Sequence, residues 1–159
     1  EQYGVLDQID FLVGTFGKAI ASVGGYIICD SIIRDYLINK MRPLIFSTAL
    51  PPISMAWSDF IFNKVLSMQQ QRQHLAEISQ YLQQAVIAKG FSSPSSSHII
   101  PIILGESQAA IEKARYVQQQ GFYAMPVRPP TVPQNSSRFR ISLTALVQKN
   151  ELQQLVECL

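Results

Sequence analysis

The pattern of apolar residues predicts a chain of mixed α and β structure, ending in an α+β layer. Three observations predict it. Two short apolar runs flank a glycine-rich loop that carries a lysine. A long stretch from Ile53 repeats its apolar residues at helical spacing. The tail then interleaves apolar strands with amphipathic helices, in the order strand, helix, strand, strand, helix.

Taken in order, Asp10 to Gly14 read as a short buried strand and Gly25 to Cys29 as a second. Between them lies a loop punctuated by Gly17 and Gly24, with Lys18 on it. Ser31 to Asn39 look helical, with Ile32, Ile33, Tyr36 and Leu37 on one face. Residues 40 to 52 contain Pro43, Pro51 and Pro52 and are expected to be irregular or extended. Ile53, Trp57, Phe60, Ile61 and Met68 keep helical register, and Leu75, Ile78, Leu82 and Val86 continue it to a stop at Lys89-Gly90. MQQQRQ, residues 68 to 73, is either a kink or an exposed face. SSPSSS, residues 92 to 97, reads as a loop. After it come a strand at Ile99 to Leu104, placed at an edge or bulge by Pro101, and a helix at Gln108 to Gln120 stopped by Gly121. Strands at Phe122 to Val127 and Arg138 to Leu143 and a last helix around Leu152, Leu155, Val156 and Leu159 complete the tail. The expected division is 1–90, with the long helical region as a link, and 91–159.

The composition narrows the function. Of 159 residues, 47% are hydrophobic and only 15% charged, as in a polypeptide that packs against more protein or in a whole apolar domain. The net charge is +2 with no basic run, which argues against nucleic acid as a partner. No apolar span approaches the roughly 20 residues a membrane helix needs. Glu1-Gln2-Tyr3-Gly4 does not read as a signal peptide. Cys29 and Cys158 are expected to be buried free thiols, and neither His74 nor His98 has metal-ligand spacing. Trp57, with Phe60 and Phe62, reads as helix packing.

The chemistry starts at Thr15-Phe16-Gly17-Lys18. A lysine in such a turn is commonly just exposed. A phosphate-binding Walker loop fails twice, because Leu12 stands at its first glycine and Ala19 at its hydroxyl position. GTFGKAIASVGGYI, residues 14 to 27, instead resembles the cofactor-lysine segment of the α-oxoamine synthases, which use pyridoxal 5′-phosphate (PLP). FSTALPP, residues 46 to 52, is similar to that family's hydroxyl-rich segment before a long helix. RPPTVP, residues 128 to 133, followed by RFRISLTA, residues 138 to 145, resembles its C-terminal substrate segment.

The resemblance implies a fold that is α/β overall, of the aspartate-aminotransferase type, with this chain covering the end of the large domain and an α+β small domain. It implies that Lys18 is the amine that condenses with the PLP aldehyde and later moves protons at the substrate α-carbon. It implies that Thr15 bonds the PLP phosphate and that Ser47 and Thr48 reach a cofactor phosphate in the partner subunit of a homodimer. Arg140 then binds the amino-acid carboxylate, Arg128 the far carboxylate of a pimeloyl chain, and Thr131 positions substrate. Arg138, on the same strand face by period two, is expected to be structural or exposed.

Arg128 before Pro-Pro-Thr-Val-Pro points within the family to the branch that joins L-alanine to a pimeloyl thioester, on CoA or a carrier protein. The products are 8-amino-7-oxononanoate, carbon dioxide and free thiol, a step toward biotin in the cytoplasm. Local sequence leaves other roles open. Thr15, Ser47 and Thr48 could serve turns or a helix start, and Arg128 could be a surface residue held by prolines. The family's pyridine-binding aspartate, ring-stacking histidine and glycine-rich phosphate loop precede the lysine segment. Nothing in residues 1 to 13 matches them, so the chain is expected to be a portion of the enzyme. The competing readings are another, aminoketone-forming α-oxoamine synthase, and a non-catalytic interaction domain in which Lys18 is inert.

Overall fold

The computed structural model describes residues 3–159; Glu1 and Gln2, where the N-terminal reading begins, lie outside the described residues. Contacts divide the chain into two compact units, one through Ser67 and one from Met68.

In the first unit, β1 (Leu12–Thr15) and β2 (Gly25–Ile28) form an antiparallel hairpin, with Leu12 opposite Ile28 and Thr15 opposite Gly25. The strands approach so closely that a Cβ on Gly25 would meet the Gly14 carbonyl at 2.7 Å, so only glycine fits there. Helix α1 (Ser31–Lys40) starts where Asp30 accepts a hydrogen bond from the Ile32 N–H at 2.8 Å. The stretch expected to be irregular contains a one-turn helix, α2 (Arg42–Ile45). Pro43 sits in its first turn, where the missing N–H would have had no partner in any case. Helix α3 spans Pro52–Leu66.

The strand over Asp10 to Gly14, which reads as buried, is not: every described residue of this unit is exposed or half-buried. Its apolar side chains stand open, with Val13 67%, Phe46 73% and Ile53 76% exposed. A two-stranded ribbon and three helices do not enclose an interior. The apolar runs that look like core in sequence therefore form surface here.

The polar MQQQRQ stretch resolves as a break. After Ser67 and Met68 a new helix, α4 (Gln69–Ala88), begins the second unit. It ends as expected at Lys89, with Gly90 at φ +90°. The second unit then runs β3 (Ile99–Gly105), α5 (Ser107–Gln119), β4 (Pro126–Val127), β5 (Ser137–Ser142) and α6 (Lys149–Glu157). This is the α+β layer the sequence predicts. The antiparallel sheet has the order β3-β5-β4, so Pro101 does lie on an edge strand, and a bulge falls between Ile103 and Gly105. The strand expected over Phe122 to Val127 is reduced to two residues, because the preceding backbone is engaged elsewhere. The Phe122 N–H bonds the Val117 carbonyl, and the Ala124 N–H bonds Phe122.

This unit has a real core. Ile78, Leu82 and Val86 of α4 meet Ile100 and Ile102 of β3, Val117 of α5, Phe139 of β5, and Leu152 and Leu155 of α6. His74 is structural, its ring Nε2 lying 3.0 Å from the Val147 carbonyl. Cys29 and Cys158 are free, as expected, but half-buried rather than buried. Among the described residues no helix is long and apolar enough to cross a membrane, and no cluster of potential ligands could hold a metal ion.

Candidate active site

The candidate residues fall on both units: Thr15, Lys18, Ser47 and Thr48 on the first, Arg128, Thr131 and Arg140 on the second.

Lys18 lies on the loop that joins β1 to β2. The loop is closed at its base, where the Phe16 N–H bonds the Gly24 carbonyl at 3.0 Å and the Ser22 N–H bonds the Phe16 carbonyl at 2.9 Å. A tighter turn is set inside it, the Ala21 N–H donating to the Lys18 carbonyl at 2.9 Å. The lysine side chain is exposed and makes no hydrogen bond or ion pair with any described residue. The backbone is therefore fixed while the amine stays available. Thr15 ends β1, three residues earlier, with its hydroxyl likewise uncommitted among the described residues.

What fixes the loop to the rest of the unit was missed in the sequence. The indole N–H of Trp57 on α3 points at the carbonyls of Ile20 and Ala21, 3.3 and 3.1 Å away. Ser22 Oγ donates to the Ser54 carbonyl at 3.4 Å and lies 2.8 Å from Ser58 Oγ. The reading of Trp57 as packing alone is thus corrected: it is 44% exposed, and its N–H ties a helix to the lysine loop. No periodicity could have revealed a contact across 36 positions.

Ser47 and Thr48 follow α2 and are exposed. The Ser47 hydroxyl donates to the Pro43 carbonyl, one turn back, so it serves the helix end. Thr48 makes no side-chain hydrogen bond with a described residue.

In the second unit, the alternation of β5 separates two faces. Ser137 and Phe139 are fully buried on the helix-covered face. Arg138 and Arg140 take the other. There they line a cleft of about 470 Å³ with Ser95, Ser97, Pro101 and Thr131. Arg140 is exposed and has no hydrogen-bonding or ionic partner among the described residues, which leaves its planar fork of donors free for an anion. Arg138, expected to be structural or exposed, is half-buried in the same cleft, and its Nε donates to the Ser136 carbonyl at 2.9 Å. It is structural and also part of the cleft wall. The RFR spacing carried that signal.

Arg128 and Thr131 begin and end the turn after β4, where the Thr131 N–H bonds the Arg128 carbonyl at 3.0 Å. Thr131 joins Arg140 in lining the cleft; Arg128 is exposed and does not line it. The serine loop forms another wall. Gln83 of α4, unmarked in the sequence, holds it by donating from Nε2 to the carbonyls of Ser93 at 2.9 Å and Ser95 at 2.7 Å.

The first unit's donors fit PLP, and the second unit's guanidinium fits an anion. An unpartnered amine suits an aldehyde, free hydroxyls suit a phosphate, and an unpartnered guanidinium suits a carboxylate.

Comparison with known proteins agrees. The family model for class I and II aminotransferases matches residues 2–159. The chain is 52% identical over 160 residues to 8-amino-7-oxononanoate synthase of Haemophilus ducreyi, across its whole length, and spans 41% of that relative. Among solved structures, serine palmitoyltransferase of Sphingomonas wittichii superposes with a TM-score of 0.87 at 28% identity, covering 99% of this chain and 40% of that one. The crystal structure of 8-amino-7-oxononanoate synthase from Francisella tularensis gives a TM-score of 0.78 at 25% identity, over 93% of this chain and 44% of that one.

Proposed function

Since this chain belongs to the class I and II aminotransferase family, we propose that it is the C-terminal portion of a PLP-dependent 8-amino-7-oxononanoate synthase. The complete enzyme would condense L-alanine with a pimeloyl thioester, on CoA or a carrier protein, and release carbon dioxide and thiol. The observation that carries this reading is the likeness to the H. ducreyi synthase, which runs the full length of the chain. In this reading 1–90 end the large domain, with α4 as the link, and 91–159 form the small one. The open apolar faces of the first unit support a chain that packs against more polypeptide, the rest of the enzyme and a second copy in a cytoplasmic homodimer.

Bound PLP would supply an electron sink for negative charge developing at the amino-acid α-carbon. This chain's residues would supply part of the remaining machinery. Lys18 would hold the cofactor through its amine and would move a proton at the substrate α-carbon. Thr15 would donate a hydrogen bond to the phosphate, and Thr48 would offer its hydroxyl to the phosphate held by the partner subunit, as would Ser47 on releasing the Pro43 carbonyl. Arg140 grips the α-carboxylate with two parallel N–H bonds and so fixes the substrate's orientation. Thr131 positions substrate beside it. Arg128 pairs with the terminal carboxylate of the acyl chain.

A second reading keeps the family and changes the acyl donor. The TM-score of 0.87 to a serine palmitoyltransferase favours it. Arg128 supports the first reading, because a cation there is useful to an acyl chain that ends in an anion. The experiment is turnover by the complete enzyme, with the product identified by mass. L-alanine and pimeloyl thioester should give 8-amino-7-oxononanoate. Preference for an uncharged acyl thioester would overturn the assignment.

A further inference from the structure

We propose that Trp57 is a positioning residue for Lys18: its indole N–H holds the strained turn that follows the lysine and thereby fixes where the amine stands. The inference rests on the reading of Lys18 as the cofactor lysine. The turn closes through the Ala21 N–H on the Lys18 carbonyl, at 2.9 Å. Ala21, which completes it, has φ +49°. That is the left-handed region, where a Cβ crowds the backbone and only glycine sits freely. A residue stays there only if its surroundings insist on it.

The insistence comes from α3. Trp57 Nε1 lies 3.1 Å from the carbonyl of the strained residue and 3.3 Å from that of Ile20. One residue further on, Ser22 is bonded to Ser54 and Ser58 of the same helix. Among the described residues, Lys18 itself is bonded within the loop only through its carbonyl. Its position is thus set at second hand, by a turn that α3 keeps from relaxing. A packing role accounts poorly for Trp57. The residue is 44% exposed, and the one aromatic ring it meets among the described residues is Phe60, at 6.1 Å between centroids. Its N–H, by contrast, reaches two carbonyls of the lysine loop.

The test uses the complete enzyme, stripped of PLP and titrated with it by absorbance. Trp57→Phe keeps a ring and removes the donor. Without the clamp the turn can leave the left-handed region, so PLP affinity should fall about five- to thirtyfold, the scale of the steric penalty for a non-glycine residue there. Ala21→Gly, added to Trp57→Phe, removes the penalty and should restore affinity to within about threefold of the parent. Ala21→Val alone, at an exposed position, should lower affinity as Trp57→Phe does, because a β-branched residue tolerates this φ worse than alanine.

A role in stability alone would lower the melting temperature of Trp57→Phe without moving PLP affinity, and that result would overturn the proposal. So would failure of Ala21→Gly to rescue. If Trp57→Phe does not fold, unchanged PLP affinity in Ala21→Val is the refuting result. Borohydride reduction of the parent separates the two layers of the argument. Cofactor mass on another lysine would sink the reading of Lys18 itself. Mass on Lys18 with wild-type affinity in the variants would sink only the clamp.

Discussion

Replacing Gln83 by methionine should destabilise the second unit by about 1–3 kcal/mol, because two hydrogen bonds are lost at roughly 0.5–1.5 kcal/mol each. Methionine is close to isosteric, so the packing of α4 beside Ile78, Leu82 and Val86 should survive. What goes is the carboxamide that donates to the carbonyls of Ser93 at 2.9 Å and Ser95 at 2.7 Å. Ser93 is only 4% exposed, so water cannot readily replace the donor. Pro94, between the two serines, has no N–H with which the loop could re-pair. Gln83→Glu should cost more than methionine, since a carboxylate has no donor and faces two carbonyl oxygens. The assay is native-state hydrogen exchange on the slowest amides of Leu82, Ile102 and Phe139. Fluorescence of the single tryptophan will not serve, because Trp57 lies in the first unit. If both variants exchange within about 0.5 kcal/mol of the parent, the normal range for a surface change, then Gln83 is not the tie that holds the serine loop.

Three further outcomes follow from the same geometry. In the complete enzyme, Arg128→Ala should weaken use of the pimeloyl thioester by about 1.5–3 kcal/mol in kcat/KM, the scale of a charge-assisted bond, and should spare an uncharged acyl thioester of equal length; equal losses would make Arg128 structural. Arg140→Lys should raise the KM for L-alanine at least tenfold while leaving the KM for the acyl thioester within about twofold, because an ammonium cannot reproduce a two-pronged grip on a carboxylate; matching rises in both would remove Arg140 from the amino-acid site. Phe139→Ala should destabilise the second unit by about 3–5 kcal/mol in the same exchange assay, as expected for a fully buried ring at the centre of the core, and a loss below about 1 kcal/mol would contradict the placement of β5.

Much of the second unit was legible because its signals are local. Leu75, Ile78, Leu82 and Val86 repeat at helical spacing, Gly90 and Gly121 end helices at φ +90° and +92°, and RFRIS alternates with period two. Resemblance marks the lysine loop, Arg140, Thr131 and Arg128; that the cleft takes in Arg140 and Thr131 but not Arg128 is read only from the structure. What escaped was set by tertiary contacts. Trp57 and Gln83 act through backbone carbonyls 36 and 10 to 12 positions away, and a carbonyl carries no side-chain identity to read. Helix α2 escaped because the prolines forbid only a continuous helix over residues 40 to 52, and a first-turn proline is compatible with a single turn. The burial of β1 was misjudged because apolar runs report what a strand prefers to meet, not what the same chain provides.

The central claim is that Lys18 carries the cofactor. Its most direct test is to load the complete enzyme with PLP, reduce it with borohydride, digest it and locate the added cofactor mass. The exposed, unpartnered amine on a loop clamped to α3 predicts the mass on the peptide containing Lys18, and none in a Lys18→Ala variant. Cofactor mass on Lys40 or Lys64, or undiminished fixation in Lys18→Ala, would contradict the account.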